Sequence, residues 1–326
     1  MKKLTKSDIT FMIAMTFFAI VSFSRFFDEK IKKHIVLFDI MQDYEWAIFF
    51  TILYFVVVLL FFVVCITNCE NKYKKDIYYL ICFYATFVFP MFLSSKYFGA
   101  TDIYGWMLTW ISLALLIRDK LEWLTIVGCF LSALISPMSV LTGICSVLVM
   151  LAYKFWSLNE RKYLWYLLAC IITAISGLMA AYACGVLSTD PQSILTYERF
   201  LILLMVLSPY LYIAVRFFVQ LWKKTKDSKR WGYVLFLVGV LPSAVVYILL
   251  EDYARAIFHA FAYVILVVIA YVARNDWDVI CQLQETKDKI KQYVPIPVLV
   301  IAIPFLFMTL WIAGQQHLMK EVFINK

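Results

Sequence analysis

Runs of about 20 apolar residues recur along almost the whole chain, and they constrain its fold more than any other feature. A helix of that length and composition can cross the hydrocarbon of a bilayer, with its backbone polar groups paired internally. Of the 326 residues, 64% are apolar and only 16% are charged, whereas soluble domains contain about half and about a quarter. The same balance excludes a disordered chain and a disulfide-stapled secreted domain. The sequence therefore predicts an all-α, polytopic transmembrane helical bundle.

The apolar runs divide into eleven predicted membrane passes, several of them short or broken. They are residues 9–27, 46–67, 77–93, 103–117, 124–135, 138–153, 164–187, 200–222, 231–250, 256–273 and 298–314. The passes that begin at Ile103, Leu124 and Met138 are short for a crossing, so we expect them to tilt or to be covered by neighbours. No Gly/Ser linker or internal repeat divides the chain, which favours a single integral membrane domain over residues 1–326.

Charge decides between one long kinked helix and two short helices in the stretch from Leu124 to Tyr153. One helix would place 12 Lys and Arg inside and 17 outside, contrary to the positive-inside rule. Two helices that meet at Ser136 and Pro137 place 20 inside and 9 outside. This arrangement puts the N-terminus in the cytoplasm and the C-terminus outside. It also explains the net charge of +8 as an orientation signal, so we expect no nucleic-acid partner.

Two polar segments outside the apolar runs have a helical pattern of their own. The outer loop of residues 28–45 is amphipathic and would hold its carboxylates over the membrane surface, although a solvated connector fits the same spacing. The cytoplasmic stretch of residues 274–297 predicts a short surface helix along the lipid headgroups. The carboxylates of the outer loop that we single out are Asp28, Glu29, Asp39 and Asp43.

The densest group of ionisable residues lies between the ninth and tenth passes, at Glu251, Asp252, Arg255 and His259. On a helix, positions 252, 255 and 259 share one face, and Glu251 can reach Arg255. An arginine with a histidine one turn deeper suits a phosphate, because guanidinium grips phosphate in a bidentate manner. A structural ion pair with a core histidine explains these residues equally well. A second outer loop supplies three further candidates: Lys96, Tyr97 and Asp102.

The layout of the outer side resembles a known class of membrane enzymes. The first helix ends in an acidic pair at residues 28–29, an amphipathic outer loop follows, and short broken helices come later. In these features the chain resembles the GT-C class of glycosyltransferases. The segment of residues 134–138 and the later segment of residues 252–255 are similar to segments of bacterial polysaccharide-assembly membrane proteins. Those proteins often have His and Gly where this chain has Ser136 and Ala254.

The resemblance implies a reaction and a role for each candidate. A sugar would pass from a polyprenyl-phosphate-linked donor to an acceptor at the extracytoplasmic face of a bacterial cell membrane. A carboxylate of the first outer loop would deprotonate the acceptor hydroxyl, and Arg255 or else Lys96 would stabilise the departing lipid phosphate. The carboxylates are Asp28 and Glu29, with Asp39 and Asp43 as second choices.

Two other functions fit the same sequence. One is a transporter or flippase for a lipid-linked glycan or a small anion, although ion-coupled transport is disfavoured by the apolar helix centres. The other is a non-catalytic membrane subunit with protein partners in the membrane. No nucleotide-binding or metalloprotease motif is present, so any donor would arrive through or beside the membrane. The three single histidines lack ligand spacing, so no metal or other cofactor is predicted, and no residue supports a divalent metal.

Overall fold

The structure, a computed structural model, describes residues 44–84, 101–136, 143–183, 212–249 and 253–293. All regular structure in these segments is helical, which confirms the all-α prediction for the described part of the chain. The helices are α1 (Tyr44–Asn68), α2 (Lys74–Phe83), α3 (Thr101–Arg118), α4 (Leu124–Ile135), α5 (Gly143–Leu158), α6 (Arg161–Ala183), α7 (residues 212–224), α8 (Arg230–Leu249), α9 (Tyr253–Ala273) and α10 (Trp277–Tyr293). A 3-10 turn, Asn71–Tyr73, precedes α2. The predicted passes at residues 9–27 and 298–314 lie outside the described residues.

The stretch after residue 124 folds as two helices, as the charge argument predicts. α4 ends at Ile135, and Ser136 follows in an extended conformation with φ −136° and ψ 94°. α5 returns to the end of the bundle at which α4 began, because its Lys154 contacts Asp119 just before α4. α5 also continues to Leu158, beyond the end predicted from hydropathy, and so carries Lys154 within a helix rather than in a loop.

Three helices run in the same direction and end together. Asn68 of α1 donates a hydrogen bond to the carbonyl of Ala273 in α9 at 3.0 Å, and Arg118 of α3 donates one to the Thr67 hydroxyl at 3.5 Å. We call this shared end the loop end and the opposite end the far end. The three helices have 25, 18 and 21 residues, so at about 1.5 Å per residue they extend about 27–38 Å from the loop end. Their first residues therefore lie at the far end: Tyr44, Thr101 and Tyr253.

α9 is the central helix of the bundle. It packs against α1, α2, α3, α5, α8 and α10, and almost all of its side chains from Ala262 to Ala273 are buried. Such a helix must be apolar on every side, and a polar group in it needs a partner. Tyr263 meets this requirement by donating its hydroxyl to the carbonyl of Phe236 in α8 at 3.1 Å.

Two helices at the edge of the bundle expose long apolar faces. The exposed side chains recur every three or four residues, so each set forms one helical face. They are Phe49, Ile52, Val56, Leu59, Leu60 and Val63 of α1, and Leu164, Trp165, Leu168, Ile171, Ile172, Ile175, Met179 and Tyr182 of α6. Among the described residues, α6 alone is long and apolar enough to cross a membrane by length and composition.

Gly177 lies where α6 packs closely against α4. A Cβ atom at this position would lie 2.6 Å from the carbonyl oxygen of Phe130 and 2.8 Å from the Cβ of Ala133. Gly177→Ala is therefore expected to lower the free energy of unfolding in detergent by about 1–3 kcal/mol, because backbone must move. The control is Ser176→Ala at the exposed neighbouring position, which should change it by less than about 0.5 kcal/mol. Similar losses in both variants would contradict this packing.

Candidate functional site

A fully buried lysine lies at the loop end, where five helices begin or end. The Nζ of Lys154 donates to the carboxylate of Glu122, to Asp119 at 2.5 Å and to the carbonyl of Leu116 at 3.1 Å. It also lies 4.5 Å from the centre of the Tyr163 ring, whose hydroxyl donates to Glu122 at 3.0 Å. All three ammonium donors are thus used. A charge buried in this way is compensated by its partners and holds them in place.

Asp119 connects this lysine to the end of the central helix. It adopts φ 55° in the turn after α3 and accepts a hydrogen bond from Arg274 at 2.8 Å. Arg274 also donates to the carbonyls of Leu116 and Ile117, at 3.0 and 3.4 Å. Burial opposes ionisation of Asp119, but the hydrogen bonds from Lys154 and Arg274 outweigh it and hold its pKa below the usual value. We refer to Lys154, Asp119, Glu122, Tyr163 and Arg274 as the Lys154 cluster.

A second group of polar side chains surrounds the buried carboxylate of Asp276. Asp276 caps the start of α10 by accepting a hydrogen bond from the backbone N–H of Val279 at 2.9 Å. It also accepts hydrogen bonds from the hydroxyls of Tyr153 and Tyr233, the latter at 2.9 Å, and the Nζ of Lys229 lies 4.0 Å away. One carboxylate therefore joins α5, α8 and α10. We refer to these four polar side chains as the Asp276 cluster: Asp276, Tyr153, Tyr233 and Lys229.

Helix α10 forms within the stretch predicted to be a surface helix, and ion pairs attach it to two other helices. Lys287 lies 3.0 Å from the carboxylate of Asp76 in the first turn of α2, and Gln284 donates to the same carboxylate at 3.0 Å. On the α7 side, Lys224 lies 2.5 Å from Glu285. The helical part of that prediction is confirmed over Trp277–Tyr293, and the cytoplasmic location stays a prediction.

The candidate catalytic and phosphate-binding residues lie away from both clusters or outside the described part of the chain. Eight of them lie outside the described residues: Asp28, Glu29, Asp39, Asp43, Lys96, Tyr97, Glu251 and Asp252. The other three belong to described helices, although their side chains are not among the described ones. Asp102 lies in the first turn of α3, and Arg255 and His259 lie in the first two turns of α9. These three positions are therefore at the far end, on two helices that contact each other.

Sequence reasoning did not identify either cluster. It treated Lys154, Asp119 and Glu122 as loop charges that report only the orientation of the chain. One signal was available: Lys154 is the single charged residue between Glu122 and Glu160. An ionisable residue inside so long an apolar run requires a partner or a function.

In both clusters the charged and polar side chains form hydrogen bonds and ion pairs with one another. These contacts attach helices to each other. Among the described residues, no group of three His, Cys, Asp or Glu side chains is arranged to hold a metal ion. Comparison of the chain with protein-family models, with curated proteins and with solved structures gives no match.

Proposed function

We propose that the chain is a polytopic membrane protein of bacterial cell-surface polysaccharide assembly. In this proposal it transfers a sugar from a polyprenyl-phosphate-linked donor to an acceptor at the extracytoplasmic face. The observation that carries the proposal is the separation of polar residues between the two ends of the bundle. Charged side chains at the loop end pair with one another, whereas the helices with Asp102 and Arg255 start at the far end.

The placement in a membrane is supported by the exposed side chains of the bundle. The exposed apolar faces of α1 and α6 suit contact with lipid tails. Four exposed tryptophans lie near the loop end, and tryptophan is enriched where a membrane meets water. They are Trp123, Trp165, Trp231 and Trp277, which are 49–68% exposed. We place the loop end at one membrane surface for this reason.

The orientation follows from the segments that meet at the loop end. Contacts join the segments around residues 68–76, 118–123, 154–163, 223–230 and 274–287. These segments contain 15 of the 30 Lys and Arg of the chain. By the positive-inside rule, the loop end would face the cytoplasm and the far end would face outward. This agrees with the N-in, C-out topology derived from charge.

The far end would contain the groups that the reaction needs. Arg255 and His259 belong to the central helix, and Asp102 belongs to a neighbour of that helix. An arginine there would neutralise the lipid phosphate as the sugar leaves. The general base would be a carboxylate of the first outer loop, the loop that precedes α1 in the sequence.

The Lys154 cluster favours an enzyme over a transporter. Alternating access requires each end of the bundle to open in turn. Opening at the loop end would have to break the buried contacts of Lys154 with Glu122 and Asp119, which link α5 to the turn between α3 and α4. An enzyme that works only at the far end needs no such opening.

The test is the rate of sugar transfer by purified full-length protein in liposomes, with a labelled polyprenyl-phospho-sugar as donor. Arg255→Ala is expected to lower this rate about 100-fold, because the departing phosphate loses its counter-charge. The double variant Asp28→Asn with Glu29→Gln should lower it by a similar factor through loss of the base. The matched control is Arg118→Ala, an exposed arginine at the loop end, which should leave the rate unchanged.

Three outcomes would overturn the proposal. If both far-end variants transfer sugar at the wild-type rate while inserting normally, the assigned residues take no part. If the labelled donor crosses the bilayer without being consumed, the protein is a flippase. If the wild-type protein neither transfers nor moves the donor, the non-catalytic subunit is the better description.

A further inference from the structure

The turn between α7 and α8 places a run of cations between two tryptophans. From Trp222 to Trp231 the sequence contains five basic residues and one acid: Lys223, Lys224, Lys226, Lys229, Arg230 and Asp227. We call residues 222–231 the basic turn. It belongs to the loop end, because Lys229 lies 4.0 Å from Asp276.

Only some of these cations are neutralised within the protein. Two of them lie 2.5 Å from acids of α10: Lys224 from Glu285 and Lys229 from Asp278. Lys223 and Lys226 are exposed, and within the described residues neither forms an ion pair with a carboxylate. With Lys224 and Lys229 paired to α10, the three remaining cations outnumber the one acid of the turn, Asp227, so the basic turn presents a surplus of positive charge.

Arg230 lies beside both tryptophans. Its guanidinium carbon lies 4.9 Å from the centre of the Trp222 ring and 5.8 Å from that of Trp231. The two rings are 5.1 Å apart and meet edge to face, at an interplanar angle of 74°. Stacking uses the faces of a guanidinium and leaves the N–H groups on its edge able to bind phosphate.

The helices on either side of the basic turn expose apolar residues. Val215 and Val219 of α7 and Val238 and Leu241 of α8 are all at least 37% exposed. Along this face the surface changes from apolar side chains to tryptophan and then to cations. A leaflet presents matching layers, which are acyl chains, the interface and the phosphate groups.

We propose that the basic turn is a binding site for the phosphate of an anionic phospholipid in the leaflet beside the loop end. Lys223, Lys226 and Arg230 bind the phosphate, and Trp222 and Trp231 lie at the level of the glycerol groups. The site rests on the proposed location in a membrane, but it does not depend on sugar transfer at the far end. Charge complementarity selects an anionic lipid over a zwitterionic one.

The experiment uses the full-length protein in nanodiscs and measures quenching of its tryptophan fluorescence by lipids with brominated tails. Phosphatidylglycerol is compared with phosphatidylcholine at equal mole fraction. A cation near an anionic surface contributes about 1 kcal/mol, or about fivefold in affinity. The triple variant Lys223→Gln, Lys226→Gln, Arg230→Gln is expected to lose at least tenfold of the preference for phosphatidylglycerol.

Two further variants locate the effect in the basic turn. The double variant Lys223→Gln with Lys226→Gln changes only exposed positions, leaves Arg230 in place, and should lose about fivefold or more of the preference. The matched control removes three exposed cations from other segments of the loop end, and because they do not belong to the proposed site it should lose clearly less of the preference than the triple variant does. It combines Lys75→Gln, Lys120→Gln and Arg161→Gln.

The proposal is overturned if the wild-type protein shows no preference for phosphatidylglycerol. It is also overturned if the triple and double variants keep the wild-type preference, or if the control loses as much as the triple variant. Sugar transfer is not measured in this experiment, so a missing lipid site would leave the proposed enzyme standing. A separate measurement tests whether the protein is integral to the membrane. If alkaline carbonate extracts the wild-type protein from cell membranes, the proposed membrane location is wrong.

Discussion

Lys154→Met is expected to lower the free energy of unfolding by about 3–5 kcal/mol, measured for the full-length protein in detergent. Lys154 is fully buried, and its ammonium contacts Glu122, which is only 8% exposed. Methionine fills much of the same volume but provides no charge and no donor. Glu122 would then remain buried with only the Tyr163 hydroxyl and the more distant Lys162 as partners.

The matched control for this variant is Lys162→Met, because Lys162 contacts the same carboxylate from solvent. Its side chain is 48% exposed, 3.5 Å from Glu122 and 3.0 Å from Glu160. Exposed pairs of this kind contribute about 0–1 kcal/mol, so the control should lose little. Similar losses for Lys154→Met and Lys162→Met would show that burial does not make the Lys154 contacts special.

A double variant separates the lost charge from the lost volume. Combining Lys154→Met with Glu122→Gln removes both buried charges, while the amide oxygen can still accept the hydrogen bond from Tyr163. Replacing both members of a buried ion pair is often close to neutral. The double variant should therefore regain most of the stability that Lys154→Met loses, whereas a purely steric effect of residue 154 would not be rescued.

The helices of this chain are largely predictable because hydropathy is a local property. α4 begins and ends at the residues predicted for it, Leu124 and Ile135. α5 differs, because hydropathy stops a pass at the first charged residue. The chain instead continues the helix through Lys154, since its ammonium reaches carboxylates at the end of the neighbouring α3. The helix closes only at Asn159, which adopts a left-handed φ of 53°.

The polar clusters could not be predicted in the same way, because their members are far apart in the sequence. Lys154 is 35 residues from Asp119, and Asp276 is 123 residues from Tyr153. The count of charged residues on each side of the predicted membrane put Lys154, Asp119 and Asp276 on the same side. It could not show which of them contact one another. For the far end, by contrast, sequence reasoning named Asp102, Arg255 and His259, and the backbone places all three at that end.

The second large effect is expected from Asp276→Ala, with a loss of about 3 kcal/mol or more in the free energy of unfolding. Removing an N-cap side chain costs about 0.5–2 kcal/mol. The change also leaves the hydroxyls of Tyr153 and Tyr233 without their acceptor, and both side chains are at most 5% exposed. Each buried polar group without a partner costs about 1–3 kcal/mol.

Two further variants test whether the hydrogen bonds of Asp276 cause this loss. Asp276→Asn keeps an oxygen that can cap α10 and accept from a tyrosine, so it should retain much of the stability that alanine removes. Asp278→Asn is the control, because Asp278 is 30% exposed and pairs with Lys229 at 2.5 Å, which predicts a loss below about 1 kcal/mol. Amide hydrogen exchange should rise along α10 in Asp276→Ala and stay at the wild-type level in Asp278→Asn. Equal protection of α10 in Asp276→Ala and wild type would mean that this carboxylate does not hold α10 to α5 and α8.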